Sequence, residues 1–313
     1  MNAFFSVVIP LYNKQNHIKN TIDSVINQNF KDFEIIIVND GSTDHSLDVI
    51  NTISDTRLNI YTIENQGVSF ARNFGVRKTS TEHIVFLDAD DYWEENHLET
   101  LFQLSEAYPN TGLFATGYYK QYFNKPRFKA TYNTIPEEYS GVISNFFEAS
   151  MIDNIAWTSA VMIPKSTLEA IGPFNENMRS GQDTELWIRI ALQKQVVFSK
   201  KPTATKVITD VENHLSYSES RIDRLQIFET FKSYETDNKS LKRYLDSNRF
   251  STAIQRKQNG DFDNYNKLKS DLNFKNLNIK QRLLLHSPAF LLRFLKKVQF
   301  KLLKNNIYLT AFK

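Results

Sequence analysis

Phe86-Leu87-Asp88-Ala89-Asp90-Asp91-Tyr92-Trp93 sets three carboxylates within four residues, directly after the apolar run Ile84-Val85-Phe86-Leu87. A short, nearly continuous apolar run bounded by polar residues suits a buried strand of a parallel sheet. The C-terminal end of such a strand opens where α/β sheets bind ligands. Alternation puts Asp88 and Asp90 on one side of the extended chain and turns Asp91 away. Two hard oxygen donors on one side suit Mg²⁺ or Mn²⁺, which keep some waters and share their coordination with a diphosphate. One Asp here would read equally well as the cap of a helix starting near Tyr92. Three fit that reading poorly.

Upstream, the same kind of run recurs. Phe5 to Ile9 reads as a first strand stopped by Pro10, Phe33 to Val38 as a second, Leu58 to Ile63 as a third and His83 to Leu87 as the strand that carries the carboxylates. Helical spacing fills the gaps at His17 to Gln28, Leu47 to Ile53 and Gly67 to Val76. This β-α-β-α-β-α-β alternation with short connections implies an α/β fold, a mostly parallel sheet flanked by helices. Its strand ends point one way, so Tyr12, Asp40 and Asp88 to Asp91 should gather at one edge. An aromatic face and two sets of carboxylates are the parts that a nucleobase, a ribose and a metal-bound diphosphate need.

The 313 residues have room for one large or two smaller domains, and 41% hydrophobic with 13% aromatic residues can build a substantial core. With no cysteine, thiolate metal sites, disulfides and a cysteine nucleophile are excluded. The start, Met1 to Pro10, lacks the basic region and apolar core of a signal peptide. No run of 18 apolar residues suggests a membrane span, so the expected compartment is the cytoplasm. The net charge of +3 hides an asymmetry: Lys275 to Lys313 holds nine Lys/Arg and no Asp/Glu. Removing those nine from the 38 basic residues leaves 29 against 35 acidic ones. A mildly acidic body argues against nucleic acid, and a basic tail for an anionic partner.

Four segments in order carry a resemblance: Val7-Val8-Ile9-Pro10-Leu11-Tyr12-Asn13, Ile37-Val38-Asn39-Asp40-Gly41-Ser42-Thr43-Asp44, Asn65-Gln66-Gly67-Val68-Ser69-Phe70-Ala71-Arg72-Asn73 and Leu87-Asp88-Ala89-Asp90-Asp91. Together they resemble the inverting glycosyltransferases of the GT-A fold known as family 2, over about Phe5 to Ser216. The resemblance implies a GT-A, Rossmann-like catalytic domain over 1–216, with a nucleotide-sugar half at 1–110 and an acceptor half at 111–216, and a helical region over 217–313. It implies that Pro10 and Tyr12 belong to the nucleotide site, with Tyr12 stacked on the nucleobase, and that Asp40 bonds to the base's edge. Arg72 would face the diphosphate, Asp88 the ribose or a metal-bound water, and Asp91 the donor sugar. Asp90 would ligate Mn²⁺ or Mg²⁺, and the donor would be a UDP-sugar. Lys14 reads as solvated, Asp44 as a cap, and Gly67 as a small residue that permits close backbone approach.

A second cluster runs from Ile171-Gly172-Pro173-Phe174 to Arg179-Ser180-Gly181-Gln182-Asp183-Thr184-Glu185-Leu186-Trp187. Asp183 stands near a helix N-terminus, where the dipole favours an ionised carboxylate. The stretch resembles the family's acceptor-side motif, whose Asp is the catalytic base. Gln182 replaces the first acid of that motif's pair, and Glu185 is a substitute base to weigh. Trp157 faces either the acceptor or the core, and the aromatic run Tyr118 to Phe123 reads mainly as core. Asn213-His214-Leu215-Ser216 resembles a downstream family stretch whose histidine reaches the metal or the diphosphate, with one residue fewer between His and Ser.

Past Tyr217 the spacing predicts helices at Ile222 to Tyr244 and Phe250 to Leu272. Ala289 to Lys304 forms a helix with Phe290, Leu291, Phe294, Leu295, Val298 and Leu302 on one arc and Arg293, Lys296, Lys297, Lys301 and Lys304 on another. That is the pattern of a helix lying in a membrane interface, or of one packed on a partner chain. The expected activity is metal-dependent transfer of a sugar to a glycan or lipid-linked acceptor at the inner membrane face. Two rivals differ in class. A nucleotidyltransferase would carry a glycine-rich loop, which Pro10 to Asn16 lacks. A non-catalytic sugar-nucleotide scaffold would have lost its metal ligand or base.

Overall fold

The computed structural model describes residues 3–123, 125–208, 224–305 and 307–312. Strands β1 (Phe5–Leu11), β2 (Phe33–Asp40), β3 (Leu58–Ile63) and β4 (His83–Phe86) alternate with helices α1 (Ile18–Ile26), α2 (Ser46–Asn51) and α3 (Val68–Lys78). β1 is buried along its whole length and pairs in parallel with β2 on one side and β4 on the other. It continues through Pro10 to Leu11 rather than stopping there. The carbonyl of Val8 faces β4, where it accepts from Leu87, and Pro10 two residues on faces the same way. The β4 ladder ends at Val8, so the missing N–H of Pro10 costs no sheet bond.

The second half completes the sheet differently. After β5 (Tyr92–Trp93) and α4 (His97–Ala107) come β6 (Leu113–Tyr122), β7 (Phe128–Lys129), β8 (Ser140–Val142) and α5 (Phe146–Ala149). Then follow β9 (Val161–Pro164), α6 (Lys165–Ile171), α7 (Gln182–Gln193) and β10 (Val196–Ile208). Among the described residues the strands order as β3-β2-β1-β4-β9-β6-β10-β5, with β7 on β6 and β8 on β10. β9 runs antiparallel between β4 and β6, so the first half of the sheet is parallel and the second mixed. Tyr92 and Trp93 form a short strand against β10 instead of opening a helix, which starts only at His97. β6 runs unbroken through Gly117, where a Cβ would stand 2.4 Å from the Lys200 carbonyl at the bulge of β10.

The C-terminal region comprises α8 (Arg224–Thr230), α9 (Lys239–Gln258), α10 (Phe262–Ser270), α11 (Ile279–His286) and α12 (Ala289–Lys304). The two helices expected here are divided elsewhere. Asn238 caps α9 by accepting from the Leu241 N–H, and Gly260 follows its end at φ 82°. The core runs without a break from the sheet into α8 to α11, through Tyr244, Leu245 and Phe250 among others. The boundary expected at 216 lies outside the described residues.

Between the carboxylate loop and β10 sits His97, fully buried, stacked on Trp93 and 2.7 Å from the Thr203 hydroxyl. Burial pushes its pKa down from 6.5 to about 3, so it is neutral in the fold. Below pH 6.5 the unfolded chain binds a proton that the folded chain refuses, and stability falls as pH falls. The unfolding free energy of wild type relative to His97→Phe should therefore drop by about 2 kcal/mol between pH 7 and pH 5. Denaturant titrations at the two pH values measure it, and a pH-independent difference would contradict a neutral buried imidazole.

Candidate active site

The carboxylate loop leaves β4 at the sheet's exit edge and is held from every side. The Thr21 hydroxyl on α1 lies 3.0 Å from the Ala89 carbonyl and 2.7 Å from that of Asp91. Ser159, just before β9, accepts from the Asp88 N–H and donates to the Asp91 carboxylate at 2.6 Å. The Val207 N–H on β10 donates to the other Asp91 oxygen at 2.9 Å. Asp91 is 4% exposed. Burial, with Asp90 and Asp88 beside it, pushes its carboxyl well above the usual range. These bonds tie the loop to β10 through Asp91.

Asp88 and Asp90 each meet a cation. Arg72, on α3, donates to Asp88 at 2.6 Å and lies over the Phe174 ring. Only 4% exposed, with Nε and Nη1 unpaired among the described residues, it sits behind Asp88 rather than in the opening. Lys14 reaches Asp90 at 2.7 Å. Nothing in the local spacing of Lys14 ties it to a loop 76 residues on, so the pair departs from the solvated side chain expected there. Among the described residues no group of three or more metal-binding side chains exists. The set fits a hard ion that takes its other ligands from water and a diphosphate.

Tyr12 is the exposed aromatic at this edge, 46% accessible, and Pro10 is buried in the strand beneath it. Asn13 joins the two loops by accepting from the Thr43 and Asp44 N–H groups. Asp40 is buried, and its two oxygens accept from the N–H groups of Gln66 and Gly67 at 2.8 and 2.9 Å. Its carboxylate is thus engaged in closing the turn into α3. Gly67 is required there by its φ of 93°, and a Cβ would meet nothing within 4 Å, so close approach is not its reason.

The two halves are stitched by Asn73. Its side chain donates to the Phe174 carbonyl at 2.9 Å and accepts from the Phe174 N–H at 3.1 Å. Beyond that loop, Arg189 donates to both oxygens of Glu185 and to the carbonyls of Ile171, Gly172 and Pro173. Glu185 is thereby fully engaged and unsuited to act as a base. Gly181, at φ 81°, opens α7 and leaves Asp183 in its first turn, half-buried. A Cβ on Gly181 would come within 2.9 Å of Ile227, so α8 buttresses this helix start.

Asp183 lines a cavity of about 220 Å³ together with Trp157, which is 7% exposed and packs on Tyr118. Gln182 is buried away from that cavity, its Oε1 unpaired among the described residues. His214 lies outside the described residues. Ser159, Thr21 and Asn73 escaped the sequence reading because polar residues that serve distant loops carry no local pattern.

Comparisons with known proteins agree with this architecture. A family model described as "Glycosyl transferase family 2" matches residues 6–168. An uncharacterized glycosyltransferase of Rickettsia bellii is 33% identical over 61% of the chain, and glycosyltransferase GlyA of Streptococcus pneumoniae is 31% identical over 50%. The matches span 26% and 23% of those relatives' own length. Among solved structures, S. aureus TarS 1–349 in complex with UDP-GlcNAc superposes with a TM-score of 0.58 at 16% identity, covering 85% of this chain and 90% of that one. At such identity the likeness shows a shared fold.

Proposed function

Because the chain belongs to glycosyl transferase family 2 and carries the GT-A sheet, we propose that it moves a sugar from a nucleoside diphosphate to an acceptor hydroxyl. The observation that carries this reading is the carboxylate loop, hydrogen-bonded to Thr21, Ser159 and β10 while Asp88 and Asp90 stay partly exposed. Tyr12 would stack on the nucleobase. Asp40 would serve chiefly by shaping the turn beside it, and Arg72 by positioning Asp88. The uridine donor is supported by the TarS structures, solved with UDP and with UDP-GlcNAc. Asp90, with Asp88 behind it, would hold Mn²⁺ or Mg²⁺ once Lys14 swings aside, and the ion would neutralise the leaving diphosphate. Asp183, in the first turn of α7, would take the proton of the attacking hydroxyl. A single displacement inverts the anomeric centre.

Calorimetry with a panel of nucleoside diphosphates, in Mn²⁺ and in EDTA, tests the donor site. UDP binding that needs metal supports it. No binding for any nucleotide would sink the enzyme reading and bring the scaffold forward.

The acceptor would be a glycan or lipid-linked sugar met at an anionic membrane. On α12, Phe290, Phe294, Leu295 and Val298 are exposed, joined on α11 by Ile279 and Leu283. The helix docks on the body through Leu292 and Leu303, which lie off that arc. No helix among the described residues is long and apolar enough to cross a membrane. An interfacial helix needs only such an apolar face flanked by basic residues. The chain should co-sediment with phosphatidylglycerol vesicles and not with phosphatidylcholine ones. With each basic residue contributing about 1 kcal/mol near anionic lipid, Lys297→Glu with Lys301→Glu should weaken binding at least about tenfold. Equal sedimentation with both lipids would refute the charge-based docking.

A further inference from the structure

Only part of the cavity beside Asp183 belongs to the sheet half. Trp157 and Asp183 come from that half and Lys206 from β10, while Tyr244, Asn248 and Ser251 come from α9 in the C-terminal region. At about 220 Å³ it is smaller than the roughly 300–1,000 Å³ pockets of drug-sized ligands. That is room for one sugar ring.

Its groups are arranged to be met by hydroxyls. Asn154 donates to the Tyr244 hydroxyl at 3.1 Å, and Asn248 donates to the Tyr244 carbonyl at 2.9 Å. Burial, followed by the charge of Asp183, pushes the Tyr244 phenol up, so it stays a donor. Lys206 is the distinctive member. Nearby Lys120 pairs with Asp153 and Lys200 with Glu137, whereas Lys206 has no carboxylate within ion-pair distance among the described residues. Its ammonium lies 5.7 Å from the centre of the Trp157 ring. A half-buried cation that no described carboxylate pairs, in a cavity it shares with Asp183, can receive an anionic group.

We propose that this cavity is the acceptor subsite, that α9 forms one of its walls, and that it takes a sugar unit carrying an anionic group which Lys206 receives. The inference rests on Asp183 being the base of the transfer. It assigns the C-terminal helices a part in acceptor choice. Trp157 gives the ring an apolar face, Tyr244 and Asn248 hold its hydroxyls, and Lys206 discriminates by charge.

The test uses the full chain with UDP and Mn²⁺ and three probes: methyl glucoside, methyl glucoside 6-phosphate and methyl glucuronide. Ligand-observed NMR titration measures each affinity. An anionic probe should bind about tenfold tighter than the neutral one, and comparison of phosphate with carboxylate names the group. Lys206→Met should erase the preference and Lys206→Arg should retain it. Ser251→Trp, which fills the cavity from α9, should block all probes while UDP binding and the thermal midpoint stay unchanged. Equal binding of neutral and anionic probes to wild type, a preference that survives Lys206→Met, or probe binding that survives Ser251→Trp each overturns the proposal. UDP affinity, read in the same samples, judges the donor site separately, so a failure of one reading is not mistaken for a failure of the other.

Discussion

Asp183→Asn is expected to lower kcat by about 10²–10⁴-fold, the usual contribution of a general base, with UDP affinity unchanged. Asparagine keeps the size of the side chain and an oxygen to accept the Thr184 N–H that now lies 2.6 Å from Asp183. The helix start should survive, since α7 is opened by Gly181 and buttressed by α8. What disappears is the ability to take a proton. Glu185 cannot step in, because Arg189 engages both of its oxygens at 2.7 and 2.9 Å. Transfer measured at saturating donor separates the chemical step from binding. A variant within about threefold of wild type would remove Asp183 from the reaction.

Asp90→Ala is expected to abolish the metal-dependent part of nucleotide binding. Loss of an outer-shell partner alone costs a metal site about 10–100-fold, and a direct ligand should cost more. Wild type in EDTA should then behave as the variant does in Mn²⁺. The fold should hardly notice, because the Lys14–Asp90 pair is partly exposed, at 34% and 16% for the two side chains. Such pairs contribute about 0–1 kcal/mol. A thermal melt alongside the calorimetry distinguishes a lost ligand from a lost fold. UDP binding that is equally tight with and without metal, and indifferent to the substitution, would overturn the assignment of Asp90.

The parallel half of the sheet was legible because its strands are unbroken apolar runs with turn residues between them. β9 and β10 were not. β9 is only Val161–Pro164, too short to show a period, and β10 interrupts its apolar pattern with Lys200, Lys201 and Pro202 where it bulges. In the C-terminal region the break between α8 and α9 is set by the capping hydrogen bond of Asn238, inside a stretch with no Gly or Pro to mark it. At the site, residue types pointed to the carboxylate loop but could not rank its members. Asp91 is drawn inward by Ser159 and Val207, partners 68 and 116 residues away. Lys14, expected in solvent, meets Asp90, a partner 76 residues away, and Arg72 pairs with Asp88.

The wedge of β9 between β4 and β6 bears on how the chain is assembled during synthesis. β1 to β4 are complete once Phe86 has emerged, and can pair among themselves as soon as they appear. One flank of β4 then stays raw until Val161–Pro164 arrives, roughly 4–16 s later at about 5–20 residues per second. An open strand edge is a template for pairing with other chains. At four residues, His83–Phe86, that edge is short, which limits what a nascent chain waiting for its missing neighbour can capture.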